Sequence, residues 1–255
     1  IVRSPRSYNS QIGVPLSVWG MDRDTQFAIF EAGISQVDEM PTLQSMIRPN
    51  LGIITNIGDE HNDGFSSRKN KCEEKIALFR DCDCIIYNGD DELISDVVET
   101  ASVTVKEIAW STKDSDRSLF ISNIDKGNDS TTIEYFYLQN RASLIIPFIS
   151  DSDIENAIHC LAVMLYMGRT PEVIANRMRG LSHVGTRLNV VEGVNNCSLI
   201  YDSYTSDLHS LTPAIDFMQL RATATQSLTV ILSDVMHETM EASALYNAVA
   251  HLLKQ

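Results

Sequence analysis

The stretch "TNIGDEHNDGF" (residues 55–65) continues an apolar run and sets one imidazole, His61, among Asp59, Glu60 and Asp63, with glycines on either side. A carboxylate and a neutral imidazole can hold a hard divalent ion, with waters and phosphate oxygens filling the remaining positions. Glu31, in "FAIFEAG", closes an earlier apolar run. Ligands of open α/β sheets bind beyond the carboxyl ends of the strands, so Glu31 and His61 meet in one crevice if their strands are neighbours. The bland reading is a strand-end glutamate and a solvated loop histidine. Lys75 lies on the helical stretch after His61, one turn from Lys71, and reads either as a lysine held near a metal or as an amphipathic lysine reaching water. Asn156, in the first turn of a later helix, reads as a ligand contact or as a local cap. Arg187 sits where two halves of the chain join and is a phosphate or base contact, or a linker residue. Asp202, in "LIYDSYTSD", ends another apolar run and is ligand-facing or a helix cap.

Phosphate loops are missing from this inventory. There is no G-x-x-x-x-G-K-[ST] and no G-x-G-x-x-G, nor any G-x-S-x-G, H-E-x-x-H or C-x-x-C. The five cysteines include only one close pair, Cys82 and Cys84, a spacing of neither a zinc site nor a disulfide framework. Reduced thiols in a cytoplasmic protein are the simple reading. Asp and Glu number 34 against 20 Lys and Arg, a net charge of -14. Nonspecific nucleic-acid binding needs a basic footprint and is not expected. No apolar run approaches membrane-spanning length, and the first residues have no signal-peptide core. With no Met at position 1, the chain reads as a fragment.

Short β-branched runs alternating with helical patterns would position these residues. Strands are expected at 26–33, 51–58 and 83–91, and helices at 37–49, 66–79 and from 92, with Cys72, Ile76 and Phe79 on one face of the second helix. That alternation specifies an α/β fold with a mostly parallel sheet and crossover helices. Residues 118–148 read as added antiparallel strands with turns at "KGND" and "QNRA". A helix at 152–168 opens with Ser152 and Glu155 at capping-box spacing and closes at Gly168. Another spans 170–180, with Pro171 at a tolerant first position. A second βαβ-like series follows, with a strand at "CSLIYDSY" and another at "SLTVILSD". The boundary falls near 186, giving a domain over 1–186 and the start of a second, Rossmann-like domain over 187–255.

Eight segments, "SYNSQIGVPLSVW", "FAIFEAGISQVDEM", "LGIITNIGDEHNDGF", "EEKIALF", "NGDD", "ENAIHCLA", "RLNVVEG" and "DSYTSDLHSL", occur in one order over roughly residues 7–235. Each is weak alone. In that order they resemble the Mur ligases, nearest the branch that adds D-alanyl-D-alanine to a cell-wall precursor. "IALFRDCDCIIYNGDD" and "DSYTSDLHSLTPAIDFM" resemble the subgroup in which this ligase is fused to an alanine racemase. The resemblance implies ATP-dependent amide formation between UDP-MurNAc-tripeptide and D-alanyl-D-alanine through an acyl phosphate. It implies ATP and Mg²⁺, with Glu31 and His61 as metal ligands. Lys75 would be a third, as a carbamylated lysine. Asn156, Arg187 and Asp202 fall on nucleotide contacts, and Asn9 and Ser10 on the muramoyl-substrate region. The usual Gly-Glu-Met is Asp38-Glu39-Met40 here, and the usual Asn after "DSY" is Thr205. The family's phosphate loop is expected just before residue 1, so the isolated chain is expected to be inactive. A folate-type polyglutamate ligase and a non-catalytic nucleotide-binding paralogue remain the alternatives.

Overall fold

In this computed structural model, residues 6, 59–63, 102–105, 183–187, 204–205, 224–225, 236–239 and 255 lie outside the description; all others are described. His61, Arg187, Thr205 and the boundary expected at 186 therefore lie outside the described residues. The chain divides into two compact units. One comprises Ile1–Asn123, Tyr135–Ala142 and Ile158–Gly168, the other Ile124–Glu134, Ser143–Ala157 and Arg169–Gln255.

The chain opens with β1 (Val2–Arg3), α1 (Gly13–Trp19) and β2 (Ala28–Ile29). The two strands pair in parallel as a small sheet of their own. The strand expected over 26–33 is thus only two residues long, because its partner offers just Val2 and Arg3. After α2 (Glu39–Ile47) comes the main sheet: β3 (Leu51–Ile54), β4 (Cys84–Asn88), β5 (Lys106–Ser111), β6 (Leu119–Lys126), β7 (Thr131–Tyr137) and β8 (Asn140–Ile146), neighbouring one another in that order. The pairs from β3 to β6 are parallel. Helices α3 (Arg68–Ile76) and α4 (Glu92–Thr100) make the first two crossovers. Strands β7 and β8 meet at a two-residue turn in which Leu138 and Gln139 both take positive φ, 47° and 65°. So tight a link makes that pair antiparallel, with the twist of a primed hairpin turn.

The parallel core follows from the text of its strands. Cys84, Ile85, Ile86 and Tyr87 are all buried, as befits a strand covered on both faces. Cys72, Ile76 and Phe79 line the buried stripe of α3 and the 3₁₀ turn after it, as their spacing requires. Gly52 admits this packing: a Cβ there would stand 2.4 Å from the Phe79 ring.

Helix α5 (Asp151–Tyr166) starts one residue earlier than expected. Its cap is Ser150, whose Oγ accepts from Asp153 N at 3.2 Å, rather than Ser152. Two residues past its end, Gly168 takes φ 68°, where a side chain would be strained. Helix α6 (Pro171–Arg179) follows, with Thr170 as cap and Pro171 in its first turn. Then come β9 (Asn189–Glu192), β10 (Ser198–Tyr201), α7 (Leu208–Arg221) and α8 (Ala242–Leu252). Here the second half departs from the βαβ expectation. Strand β10 pairs antiparallel with β9, and the described residues of the "SLTVILSD" run form no strand. A strand exists only where another offers its ladder of N–H and C=O groups, and that run has none among the described residues. No helix among the described residues is long and apolar enough to cross a membrane.

Candidate functional site

Glu31 lies just beyond the carboxyl end of β2, exposed. Two contacts hold it. Its backbone N–H donates to Ser4 Oγ at 3.1 Å, and its Oε1 accepts from Asn9 Nδ2 at 2.8 Å. Asn9 is fixed in turn, since its carbonyl accepts from Gly33 N at 2.7 Å. A Cβ at Gly33 would sit 3.3 Å from the Asn9 amide, so the glycine of "EAG" admits this close seating. Two sequence-derived candidates of different expected roles, Asn9 and Glu31, are therefore in direct contact. The third, Ser10, turns its Oγ to the backbone N–H of Gly13 at 3.2 Å and helps start α1. A shallow concavity of about 230 Å³ beside them is lined by Ser10, Gln11, Ile12, Gly33, Ser35 and Glu39.

The loop beyond Glu31 is braced by α2. Glu39 Oε2 accepts from the N–H groups of Ser35 and Gln36 at 2.7 and 3.1 Å. Gly64 passes so close to this loop that a Cβ would stand 1.8 Å from Ser35 O. Helix α3 is tied to the same region through Glu74 Oε2, which accepts from Asp38 N at 3.1 Å. Lys75, next to Glu74 in the last turn of α3, is half-buried.

Lys71, one turn before Lys75, is not a surface residue. It is 2% exposed, and its Nζ donates to the Gly58 carbonyl at 2.7 Å. Nothing in the sequence marked this, because a lysine beside an apolar stripe is ordinarily solvated. Four further polar contacts were not foreseen. At the carboxyl ends of β4 and β5, Asp90 accepts from the Ser111 hydroxyl and from Thr112 N and Oγ1, the latter two at 2.8 and 2.7 Å. Burial opposes the Asp90 charge, but the bonds from Ser111 and Thr112 prevail and hold its pKa below the ordinary value. His159, on α5, accepts from Trp110 Nε1 at Nδ1, 3.3 Å away. Among the described residues its buried Nε2 has no hydrogen-bond partner, and the Thr55 backbone offsets part of the burial effect. Burial lowers the His159 pKa to about 4, so the ring is neutral.

Asn156 is exposed on α5, and Asp202 is half-buried just after β10; both belong to the second unit. Among the described residues, no three His, Cys, Asp or Glu side chains gather as a metal site. All five cysteines are free thiols. Burial pushes those of Cys72 and Cys82 up to about 12 and that of Cys84 to about 11, which makes them poor nucleophiles.

The comparisons with known proteins agree with one another. The chain is 26% identical over 216 residues to the UDP-N-acetylmuramoyl-tripeptide--D-alanyl-D-alanine ligase of Bacillus subtilis, covering 84% of this chain and 46% of that protein. For the ligase of the same name from Escherichia coli the identity is 23% over 215 residues, covering 82% and 47%. The chain thus spans about half the length of the curated relatives it matches. Among solved structures, MurF from Acinetobacter baumannii superposes with a TM-score of 0.77 at 20% identity, over 87% of this chain and 48% of that one. MurF from Thermotoga maritima in complex with ADP gives 0.71 at 17%, over 85% and 50%. A point mutant of L. casei FPGS gives 0.61 at 16%, over 88% and 52%. These structural likenesses carry the α/β fold. The model of the Mur ligase middle domain matches residues 1–164, and with a match over more than half its length this chain belongs to the Mur ligase middle domain family.

Proposed function

We propose that the chain is the ATP-binding part, residues 1–186, and the beginning of the following domain, residues 187–255, of a cytoplasmic ligase that joins D-alanyl-D-alanine to UDP-MurNAc-tripeptide. The observation that carries this is the contact between Asn9 and Glu31, 2.8 Å apart, which seats an expected substrate residue against an expected metal ligand. The names of the relatives from Bacillus subtilis and Escherichia coli support the choice of substrates. The substrate carboxylate attacks the γ-phosphate of ATP and ADP departs. The amine of D-alanyl-D-alanine then attacks the acyl carbon, and phosphate leaves.

Glu31 fits a hard divalent cation, for its exposed carboxylate offers the oxygen donors Mg²⁺ prefers. When bound, Mg²⁺ offsets the negative charge of the transferring phosphoryl group. Besides Glu31, the residues that would hold it are His61 and Lys75. An ammonium has no lone pair to give, so Lys75 would act as a carbamate, formed when its neutral amine adds to CO₂. Asn9 orients the Glu31 carboxylate, and with Ser10 it would border the muramoyl substrate. Asn156, Arg187 and Asp202 would contact the nucleotide.

The test is ligation by the purified full-length ligase, of which this chain would be a part, with ATP, Mg²⁺ and the two substrates. Glu31→Gln and Lys75→Arg are expected to lower the rate by about 100-fold or more, the usual scale for removing a group that stabilises transition-state charge. Glutamate addition to folate, in place of D-alanyl-D-alanine addition, would overturn the reading in favour of the polyglutamate ligases. A folded protein that binds nucleotide but ligates neither pair would favour the non-catalytic paralogue.

A further inference from the structure

Two cationic side chains on α3 reach back to the backbone beyond the carboxyl end of β3. Arg68 Nη2 donates to the Ile57 carbonyl at 2.8 Å, and Lys71 Nζ donates to the Gly58 carbonyl at 2.7 Å. The two side chains differ in setting. Arg68 is exposed, whereas Lys71 is 2% exposed, with its Nζ 5.9 Å from the centre of the Phe65 ring. Taking an ammonium out of water is expensive, and a buried ionic group is a poor way to gain stability. An apolar side chain would fill the same volume at less cost. A retained ammonium therefore points to what it holds, and the Gly58 carbonyl is among its partners.

The helix start fixes where that ammonium lies. Ser67 Oγ accepts from Asn70 N at 3.1 Å, and Asn70 Oδ1 accepts from Ser66 N at 3.3 Å. This cap sets the phase of α3, placing Lys71 and Lys75 on neighbouring turns of one face. One helix thus carries the expected ligand Lys75 and the clamp on Gly58.

We propose that Lys71, seconded by Arg68, is a positioning residue for the ligase site. Its ammonium holds the Gly58 carbonyl and so sets the direction in which the backbone leaves β3 toward His61. The inference rests on the function proposed above, in which His61 binds the metal. Lys71 itself touches no substrate in this scheme.

The test uses Lys71→Met, which keeps the length of the apolar stem and removes the donor, and Arg68→Met, whose exposed site leaves folding intact. Three quantities are measured on the purified full-length ligase that would contain this chain: the Mg²⁺ concentration for half-maximal ligation, the affinity for Mn²⁺ by electron paramagnetic resonance with a non-hydrolysable ATP analogue, and KM for D-alanyl-D-alanine. Lys71→Met is expected to raise the Mg²⁺ requirement and weaken Mn²⁺ binding by about 10-fold, the scale on which groups that orient metal ligands act. Arg68→Met shifts both in the same direction by less, and KM for D-alanyl-D-alanine stays unchanged in both. If Lys71→Met fails to fold, Arg68→Met decides. A ligating wild type, with folded variants that keep its Mg²⁺ requirement and Mn²⁺ affinity, overturns this inference alone. A wild type that shows no Mg²⁺-dependent ligation overturns the proposed function, and this inference with it.

Discussion

Strands β4 and β10 carry similar text, "CIIYN" and "SLIY", and meet different fates. In β4, Cys84 to Tyr87 are at most 1% exposed, while in β10 Leu199 and Tyr201 are 41% and 49% exposed. Strand β4 has a parallel neighbour on each side, and Ile85 and Tyr87 share a core cluster with Ile94, Val97 and Val98 of α4. Among the described residues strand β10 has one partner, antiparallel, and its Ile200 packs against a small cluster of Ile149, Leu188 and Phe217. The run from 228 to 232 extends the contrast: it is as apolar as β4, yet Ile231 is 92% exposed. Apolar β-branched text expresses a preference for burial. Whether it is met depends on what stands on both edges and both faces.

The largest test of this contrast is Ile86→Ala. It removes a fully buried side chain between two strands and is expected to cost about 2–5 kcal/mol in urea unfolding. An effect below about 1 kcal/mol would mean that the parallel core is looser than its burial implies.

Next is the pH dependence of the same region. His159 is 3% exposed, and burial lowers its pKa from 6.5 to about 4. A histidine whose folded pKa is depressed adds stability above its unfolded pKa and loses it as pH falls. Stability should therefore drop between about pH 6.5 and pH 4 by on the order of 3 kcal/mol. His159→Phe should flatten that part of the profile. A slope unchanged by the substitution would assign it to other groups.

A smaller effect is expected from Ser111→Ala, which removes one hydroxyl donor from Asp90 at the ends of β4 and β5. The loss is about 1–3 kcal/mol, since the partner is a charged, partly buried carboxylate. An unchanged melting temperature would show that the Thr112 bonds alone suffice. The smallest is Leu199→Ala on β10, within about 0.5 kcal/mol by the usual behaviour of exposed positions. A cost as large as that of Ile86→Ala would erase the distinction between the two strands.

The candidate site was readable to the extent that its residues lie in local signals. Glu31 ends an apolar run, Lys75 sits on a helix of clear period, and the core stripe of Cys72, Ile76 and Phe79 follows from spacing alone. The contact of Asn9 with Glu31 was not readable, because it joins residues 22 positions apart, across α1 and β2, and depends on the pairing of β1 with β2. Nor was the bond from Lys71 to Gly58, 13 positions away, since a lysine beside an apolar stripe is ordinarily solvated. The cap of α5 was misassigned by two positions for a local reason: Ser150 and Ser152 each have an acidic residue three positions later, and only the folded backbone shows which hydroxyl meets an open N–H.

By itself the sequence determined the class of the fold, the succession from β2 through α2, β3, α3 and β4 to α4, and the stretches in which candidate ligating groups lie; it missed β1, α1 and β5, and it read β6 as antiparallel where β6 lies parallel to β5. These depend on period, on capping chemistry and on residue type, all of which act within a few positions along the chain. Tertiary structure decided the rest: that β2 is two residues long, that β10 turns back on β9, that the apolar run at 228–232 finds no ladder among the described residues, and that the Lys71 ammonium is buried. Each of those outcomes depends on a partner distant in sequence. A strand's edges, a carbonyl's donor and a lysine's access to water are properties of the neighbours that folding supplies.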